Sequence, residues 1–319
     1  MPTKITKLII IIGLAAASLL SACGTQLAGP TPTPPATPTE VTLTLTDWLG
    51  KQFTLSQPYQ KIVSLAPSNT EILFAIGAGS QVAARDTFSD YPQEAVQVQD
   101  IGGGWGEIDT EAIIALNPDL VLAAEINAVE QVKALEDLGL NVFYLSNPKE
   151  LEGMYENLRT VAKLTRHEAE AETLVASLAE RVAAVDEKIA NASEQPLVFY
   201  ELDGTDPNAP WTSGPGTFID LLLARAGGSN LGNILDSSWA QVSLENLVTE
   251  NPDVILLGDA VWGGVKPEDV AGRAGWQDLA AVQNSKVFPF DDNLVSRPGP
   301  RMVDGLEQLV RLLHPELGQ

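Results

Sequence analysis

Two distant stretches of the chain repeat the same residues at the same intervals. In each stretch a Trp is followed six residues later by a Glu, and an Asn-Pro-Asp triplet begins six residues after that. Each triplet leads directly into an apolar run. A duplicated unit of this kind predicts two lobes of one architecture, related by a pseudo-twofold axis with a ligand cleft between them. The repeated residues are Trp105, Glu111 and Asn117-Pro118-Asp119, and then Trp239, Glu245 and Asn251-Pro252-Asp253.

Short apolar runs alternate with helical patterns in both halves, which predicts an α/β fold with a mainly parallel sheet in each lobe. Ser68 and Glu71 have the spacing of a capping box for the helix after the first strand. A hairpin is predicted from residues 41–45 and 52–55. The later strands are predicted at residues 61–65, 120–123, 142–145, 197–202, 254–257 and 287–290.

A long helix is predicted between the halves, from residue 165 to about residue 192. Thr165 and Glu168 have capping-box spacing, and Leu174, Leu178 and Val182 belong to an apolar series at helical intervals. A helix of about 27 residues would be about 40 Å long, enough to span two lobes. We therefore predict an N-terminal lobe at 41–164, a linking helix at 165–194 and a C-terminal lobe at 195–319. Such a stiff connection predicts a small hinge motion.

The N-terminus has the pattern of an export signal. Lys4 and Lys7 precede an apolar run at residues 8–20, and residues 1–22 are predicted to be cleaved as a signal peptide. Leu20-Ser21-Ala22-Cys23 resembles the lipobox of bacterial lipoproteins, in which the Cys is lipidated; ordinary secretion is the alternative. Residues 24–40 contain five Pro and five Thr, so residues 23–40 are predicted to be a tether. The expected location is extracytoplasmic and membrane-anchored, in a periplasm or at the outer face of the cell membrane.

Composition excludes several classes of function. The chain has 19 Lys and Arg against 42 Asp and Glu, a net charge of −23, which disfavours nucleic acid as a partner. One Cys and two His are too few for a His/Cys zinc site or an iron–sulfur cluster. Neither His lies in a recognisable catalytic or metal-binding motif. We predict no catalytic residues, no metal site and no cofactor.

The two repeated glutamates allow two interpretations. Asp109 and Ser243 are predicted to cap two helices, so that Glu111 and Glu245 each lie in a first turn. A carboxylate there is stabilised by the positive end of the helix dipole, which needs no further function. The twofold arrangement favours a second interpretation, in which the two acidic groups dock onto a symmetric partner that carries Arg or Lys.

Three tryptophans and one arginine are candidate ligand-binding residues. Trp105, Trp211 and Trp239 lie among Gly, Pro, Ser and Asn, as expected for loops rather than a core. Loops after the carboxyl ends of parallel strands line the ligand crevice of such folds, and aromatic groups there would suit a large, flat, apolar ligand. Arg297 on the final loop could bind a carboxylate or amide oxygen, or pair with a neighbouring acid.

Three motifs resemble a known family, the helical-backbone substrate-binding proteins of ABC importers. They are Ser64-Leu65-Ala66-Pro67-Ser68-Asn69-Thr70-Glu71, Ser89-Asp90-Tyr91-Pro92 and Leu116-Asn117-Pro118-Asp119-Leu120-Val121. Within that superfamily, Trp239-Ala240-Gln241-Val242-Ser243-Leu244-Glu245 is most similar to the cobalamin-binding members. The resemblance implies two α/β lobes joined by one long helix, with a ligand cleft between them.

The resemblance also implies roles for individual residues. Glu111 and Glu245 would dock onto Arg residues of a permease dimer, which works with a cytoplasmic ATPase. The transported ligand would be cobalamin or another corrinoid, its cobalt would take no side-chain ligand from the protein, and the binding protein would be a monomer. The implied ligand-binding residues are Ser68, Phe88, Trp105, Trp211, Trp239, Asn293, Leu294 and Arg297.

Departures from the family pattern leave other ligands open. Ala124 and Leu294 stand where the cobalamin-binding members have Trp, and Ala226 stands at a position of their disulfide. The N-terminal hairpin is more typical of the ferric-siderophore relatives. A ferric siderophore or haem is therefore the alternative ligand, with Tyr91 as the candidate axial ligand of haem. An extracytoplasmic hydrolase would require two acids that face each other across the cleft.

Overall fold

The computed structural model describes residues 42–104 and 107–318. Within these ranges the chain forms thirteen strands and ten α-helices. The predicted signal peptide, Cys23, the tether and Trp105 lie outside the described residues. In the described part of the chain, no helix has both the length and the apolar character to cross a bilayer.

An antiparallel hairpin opens the described chain and confirms the predicted one to within two residues. Its strands are β1 (Leu43–Thr46) and β2 (Gln52–Leu55). The buried Asp47 carboxylate closes the turn by accepting two amide hydrogens at 3.0 and 2.8 Å. The Trp48 amide donates to the Tyr144 carbonyl oxygen at 3.1 Å, which attaches the turn to the adjacent sheet.

The N-terminal lobe is built on a five-stranded parallel sheet. Its strands are β3 (Ile62–Ser64), β4 (Val82–Arg85), β5 (Gln99–Asp100), β6 (Leu120–Ala124) and β7 (Val142–Leu145), in the order β5-β4-β3-β6-β7. All residues of β3, β6 and β7 are buried, as expected for parallel strands packed on both faces. The helices of this lobe are α1 (Pro67–Ala75), α2 (Thr110–Leu116) and α3 (Val129–Asp137).

Two helices follow the first sheet, α4 (Leu151–Thr165) and α5 (Glu168–Ile189). Arg166 between them is left-handed at φ 62°, which ends α4. The predicted capping box of Thr165 and Glu168 is wrong, because the Thr165 hydroxyl donates to a carbonyl oxygen one turn earlier within α4, at 2.9 Å. The long helix therefore begins at Glu168 without a side-chain cap. The domain boundaries at residues 164 and 194 remain predictions.

The C-terminal lobe repeats the parallel arrangement with four strands and adds a separate two-stranded ribbon. The sheet has the order β10-β8-β12-β13, and β9 pairs antiparallel with β11 to form the ribbon. The strands are β8 (Leu197–Glu201), β9 (Trp211–Ser213), β10 (Ser229–Asn230), β11 (Trp239–Gln241), β12 (Val254–Leu257) and β13 (Val287–Pro289). The helices are α6 (Phe218–Arg225), α7 (Leu244–Glu250), α8 (Pro267–Ala271), α9 (Ala280–Gln283) and α10 (Met302–Leu313).

Helix α5 contacts both lobes. Arg159 on α4 pairs with Glu172 on α5 at 2.8 Å, and Arg181 on α5 pairs with Asp304 and Glu307 on α10 at 2.6 and 2.8 Å. These ion pairs are partly exposed and contribute about 0–1 kcal/mol each. The main contribution comes from an apolar face at helical spacing, whose buried residues are Ala171, Val175, Leu178, Val182 and Val185.

The repeated Asn-Pro-Asp triplets have the same local task in both lobes. Asn117 ends α2 and Asn251 ends α7, both in the left-handed region at φ 47° and 50°. The Asp119 carboxylate accepts the Lys61 amide just before β3, at 2.9 Å. The Asp253 carboxylate accepts the Leu197 amide at the start of β8, at 2.8 Å. Each triplet therefore ends a helix and, by this hydrogen bond, joins the start of the following strand, β6 or β12, to the start of β3 or β8.

The starts of α2 and α7 are also equivalent. The Asp109 carboxylate accepts the amide of Ala112 at 2.9 Å, and the Ser243 hydroxyl accepts the amide of Asn246 at 3.2 Å, as predicted for two N-caps. The predicted fold class is confirmed: two related α/β lobes are joined by one long helix.

The left-handed asparagines can be tested in pairs of variants. Asn117→Ala removes the short polar side chain that lets asparagine adopt the left-handed conformation and keeps the Cβ that opposes it, so we expect the free energy of unfolding to fall by about 1 kcal/mol. Asn117→Gly should be close to the wild type, because glycine adopts this conformation without strain. Denaturant unfolding of both variants measures the difference, and equal losses would contradict the assignment.

Candidate functional site

Phe88 lies on the loop that follows the carboxyl end of β4, and its side chain is 39% exposed. The loop is fixed by the buried Asp86 carboxylate, which accepts the Phe88 amide at 2.9 Å and the Ser89 hydroxyl. The Ser89 hydroxyl also bonds the Thr70 hydroxyl of α1 at 2.8 Å. Burial raises the pKa of Asp86 more than these hydrogen bonds lower it. The loop presents the Phe88 ring from an ordered base.

A run of three glycines follows β5, and the last of them, Gly104, packs directly against Phe88. Gly102, Gly103 and Gly104 all have left-handed φ values, of 76°, 91° and 68°. A Cβ at Gly104 would overlap the Phe88 ring. The glycines are therefore required both by the backbone conformation and by the close contact. Trp105 follows them outside the described residues, so its predicted ligand role stays a prediction.

Trp211 and Trp239 lie together on the ribbon of β9 and β11. Trp211 faces Gln241 and Trp239 faces Ser213 in the antiparallel register, which places both indoles on one face of the ribbon as diagonal neighbours. The indoles are 43% and 42% exposed. The Thr212 side chain on the other face is buried, and its hydroxyl donates to a carbonyl oxygen of β8 at 2.7 Å.

The ribbon is attached at the carboxyl end of β8. The Trp211 amide donates to the Asp203 carbonyl oxygen at 2.9 Å, and the Leu202 amide donates to the Trp211 carbonyl oxygen at 2.9 Å. Trp239 packs on Phe218 of α6 with ring centroids 5.8 Å apart. The two tryptophans were predicted to lie in loops, whereas they lie on short strands. Both are presented at the strand-end edge of the C-terminal lobe, where ligand-binding residues were expected.

The final loop, residues 291–301, follows β13. The Asn293 side chain donates to the Asp291 carboxylate at 2.9 Å, and Asn293 and Leu294 are half-buried. Arg297 pairs with Asp90 at 2.5 Å and lies 3.6 Å from Glu71. Its guanidinium is therefore engaged with acids of the N-terminal lobe. The ligand roles of Asn293, Leu294 and Arg297 remain predictions.

Glu71 and two arginines form an interlobe ion pair, by which we mean Glu71 of α1 with Arg297 and Arg301 of the final loop. Arg301 donates twice to the Glu71 carboxylate, at 2.9 and 2.5 Å. The Arg301 guanidinium also lies 3.9 Å from the ring centroid of Tyr91. The Glu71 side chain is 1% exposed, and burial raises its pKa although both arginines lower it. This pair joins the two lobes directly.

The capping box predicted for Ser68 and Glu71 is wrong. Ala66 precedes α1 without a side-chain cap, and Pro67 is the first helical residue. Glu71 is instead turned to the arginines of the other lobe. Ser68 is buried, and its carbonyl oxygen lies beside Gly299 of the final loop. The predicted ligand role of Ser68 remains a prediction.

A second buried carboxylate lies at the carboxyl end of β8. Glu201 is fully buried and receives two hydrogen bonds from Arg273, one of them at 2.9 Å. The neighbouring Asp259 carboxylate, at the end of β12, accepts the Gly204 amide at 3.0 Å. Burial raises the pKa of Glu201 to about 7; Arg273 opposes this effect and Asp259 reinforces it.

Glu201 makes stability depend on pH in a defined direction. Its pKa is about 7 when folded against an ordinary 4.5, so the folded protein holds the proton more tightly. The free energy of unfolding should therefore fall as pH rises from about 4.5 to about 7, by at most about 3 kcal/mol. We expect Glu201→Gln to lose this part of the slope in urea unfolding measured across that range.

Glu307 provides the matched control for that measurement. Its pKa is lowered, first by the hydrogen bond from Arg181, so its titration lies below the range tested. The slope of Glu307→Gln should equal that of the wild type. A wild-type slope in Glu201→Gln as well would contradict the assignment.

Glu111 and Glu245 occupy the first turns of α2 and α7 and are exposed. Their equivalent positions were predicted and are confirmed, whereas their docking role stays a prediction. Among the described residues, no group of three or more His, Cys, Asp or Glu side chains is arranged to hold a metal ion. The described site consists of aromatic faces, paired charges and two exposed carboxylates.

Comparison with known proteins identifies the family. Residues 62–294 match the model of the periplasmic binding protein family. The chain belongs to this family. The ABC transporter substrate-binding lipoprotein YvrC of Bacillus subtilis is 32% identical over 309 residues, which cover 95% of each chain. A vitamin B12-binding protein of Pectobacterium atrosepticum is 30% identical over 254 residues, which cover 78% of this chain and 87% of that protein.

Solved structures of periplasmic binding proteins agree with the fold. The haem-binding protein RhuT of Roseiflexus sp. RS-1 has a TM-score of 0.73 at 25% identity, with 81% of this chain and 99% of that chain covered. Members of the family are substrate-binding components of ABC importers and not enzymes. This periplasmic binding protein therefore acts outside the cytoplasm, and its partners are a permease and an ATPase.

Proposed function

We propose that this periplasmic binding protein captures cobalamin or a related corrinoid and delivers it to an ABC permease. The corrin ring is large and flat, with apolar faces and a rim of neutral amides. The indoles of Trp211 and Trp239 and the Phe88 ring offer apolar contact at the strand-end edges of the two lobes. The sequence pattern predicts Trp105 as a further aromatic contact of this site. No bond of the ligand is made or broken.

The observation that carries the choice of ligand is that both arginines of the final loop are already paired with acidic side chains. Arg301 is bound to Glu71, and Arg297 is bound to Asp90 with Glu71 close by. Anionic siderophores and the propionates of haem require basic groups that are free to pair with them. A neutral ligand with amide oxygens does not, because Arg297 can donate to an amide oxygen while Glu71 remains its counter-ion.

Among the described residues, neither histidine offers haem an axial ligand at this site. His167 precedes α5 and His314 is buried at the end of α10, so neither lies on a strand-end loop. Tyr91 carries the Arg301 guanidinium on one ring face but is 45% exposed, so its hydroxyl stays the candidate axial ligand of haem. A ferric siderophore or haem remains the alternative ligand within the family. A carboxylate-based hydrolase is the remote alternative, and Glu111 and Glu245 lie on separate, equivalent helices in opposite lobes.

The ligand can be tested by calorimetric titration of the full chain, purified in detergent, with cyanocobalamin and separately with a ferric hydroxamate siderophore. We expect saturable one-to-one binding of cyanocobalamin. The double variant Trp211→Ala, Trp239→Ala should bind about 100-fold more weakly, since each lost aromatic contact is worth about 1.4 kcal/mol.

Trp48 supplies the control for this titration. It is 65% exposed on the turn of the N-terminal hairpin, outside the ribbon, so Trp48→Ala should bind as the wild type does. Thermal melting of each variant checks that folding is unchanged. If the protein binds the siderophore but does not bind cyanocobalamin, its substrate is a ferric siderophore and the corrinoid assignment is overturned.

We propose further that Cys23 is lipidated and that residues 24–40 tether the folded lobes to the membrane. The name of the Bacillus subtilis relative, a lipoprotein, supports the lipid anchor. We propose also that Glu111 and Glu245 dock onto basic residues of the permease. Their equivalence in the two lobes supports this role, because a permease dimer would present two equivalent surfaces.

Charge reversal separates docking from ligand binding. Glu111→Lys with Glu245→Lys should reduce ligand uptake about 10-fold or more in cells that carry the transporter, because like charges would then face each other. Ligand affinity in calorimetry should not change. Glu250→Lys at the other end of α7 is the control, because Glu250 is equally exposed and lies at the opposite end of the helix from Glu245. Equal uptake losses in Glu250→Lys would contradict the docking assignment.

A further inference from the structure

An exposed tryptophan lies on a strand-end loop that the sequence patterns did not single out. Trp262 follows the carboxyl end of β12, and its side chain is 62% exposed, as is that of Val261. In the sheet, β12 lies between β8 and β13. The loop therefore leaves the strand-end edge between the tryptophan ribbon, which follows β8, and the final loop, which follows β13.

The loop holds Trp262 outward through a tightly bonded base. The Asp259 side chain is 1% exposed and accepts the Gly204 amide at 3.0 Å. The Asp259 carbonyl oxygen accepts the Gly263 amide at 2.7 Å, which closes the turn around Trp262. A Cβ at Gly258 would lie 2.9 Å from the Glu201 backbone, so the start of the turn is pressed against β8. The backbone conformation of this turn therefore keeps the Trp262 indole exposed.

The equivalent loop of the N-terminal lobe also presents apolar side chains. It follows β6, the counterpart of β12, carries Ile126 at 48% exposure and leads into Val129, the first residue of α3, at 49% exposure. The strand-end loops of the two lobes meet, as the ion pair of Asp90 with Arg297 shows. Apolar groups at equivalent positions of two facing edges suit a ligand with two apolar faces.

We propose that Trp262 is a further ligand-contacting residue, whose indole packs on the corrin ring beside Trp211 and Trp239. This inference rests on the proposed function. The contact would favour planar macrocycles over compact ligands, because a third indole extends the apolar surface along the edge of the sheet. Trp262 therefore contributes to specificity as well as affinity.

Calorimetry of the full chain in detergent with cyanocobalamin tests the proposal. Trp262→Ala should bind at least 10-fold more weakly than the wild type, and Trp262→Phe should recover most of the loss because it keeps an aromatic face. Trp48→Ala is the control for removal of an exposed indole and should bind normally. Melting temperatures of all variants should match, since Trp262 is exposed.

The outcomes separate this inference from the proposed function. Wild-type binding with an unchanged Trp262→Ala overturns the role of Trp262 alone. Failure of the wild type to bind cyanocobalamin overturns the corrinoid assignment, and a parallel titration with haem then decides whether Trp262 contacts a different macrocycle. If the wild type binds neither cyanocobalamin nor haem, both the corrinoid assignment and the role of Trp262 are overturned.

Discussion

The buried carboxylate of Glu71 is the constraint on which the arrangement of the two lobes depends. An ionised group that is 1% exposed is costly unless it is paired, and its partners Arg297 and Arg301 come from the other lobe. Separation of the lobes would leave Glu71 without these partners. The final loop must therefore lie against α1. Helix α5 adds a second connection through apolar packing on α4 and α10.

In the proposed function, the same ion pair also selects among ligands. Two arginines in a binding cleft suggest an anion, but these two are already neutralised by acids of the same protein. The surface that remains for a ligand consists mainly of the exposed aromatic rings and of groups that can hydrogen-bond to neutral amides. The chain's net charge of −23 has the same effect at longer range, because an anionic ligand would be repelled as it approached. Electrostatics and aromatic surface both favour a neutral macrocycle.

Local patterns in the sequence predicted the fold well and the ion pairs poorly. The hairpin, six further strands and the caps at Asp109 and Ser243 depend on neighbouring residues, so short-range rules found them, whereas the short strands β4, β5, β9, β10 and β11 were not predicted. Glu71 matched a capping box by spacing, yet its partner Arg301 is 230 residues away. No short-range pattern contains that information. Trp262 differs, because the strand-end rule applied to the other tryptophans would have found it after the strand at 254–257.

Three contacts that hold the lobes together, all within the described residues, differ in how easily they can be exchanged. The α5 packing and the contact of Arg301 with Glu71 are buried. The Asp90 side chain is 58% exposed, whereas Arg297 is 11% exposed and keeps Glu71 at 3.6 Å. In the proposed function, a ligand amide oxygen replaces Asp90 on Arg297 without leaving a buried charge unpaired, and the released carboxylate is solvated. Such an exchange needs only side-chain movement, which is consistent with a preorganised cleft and a small hinge motion.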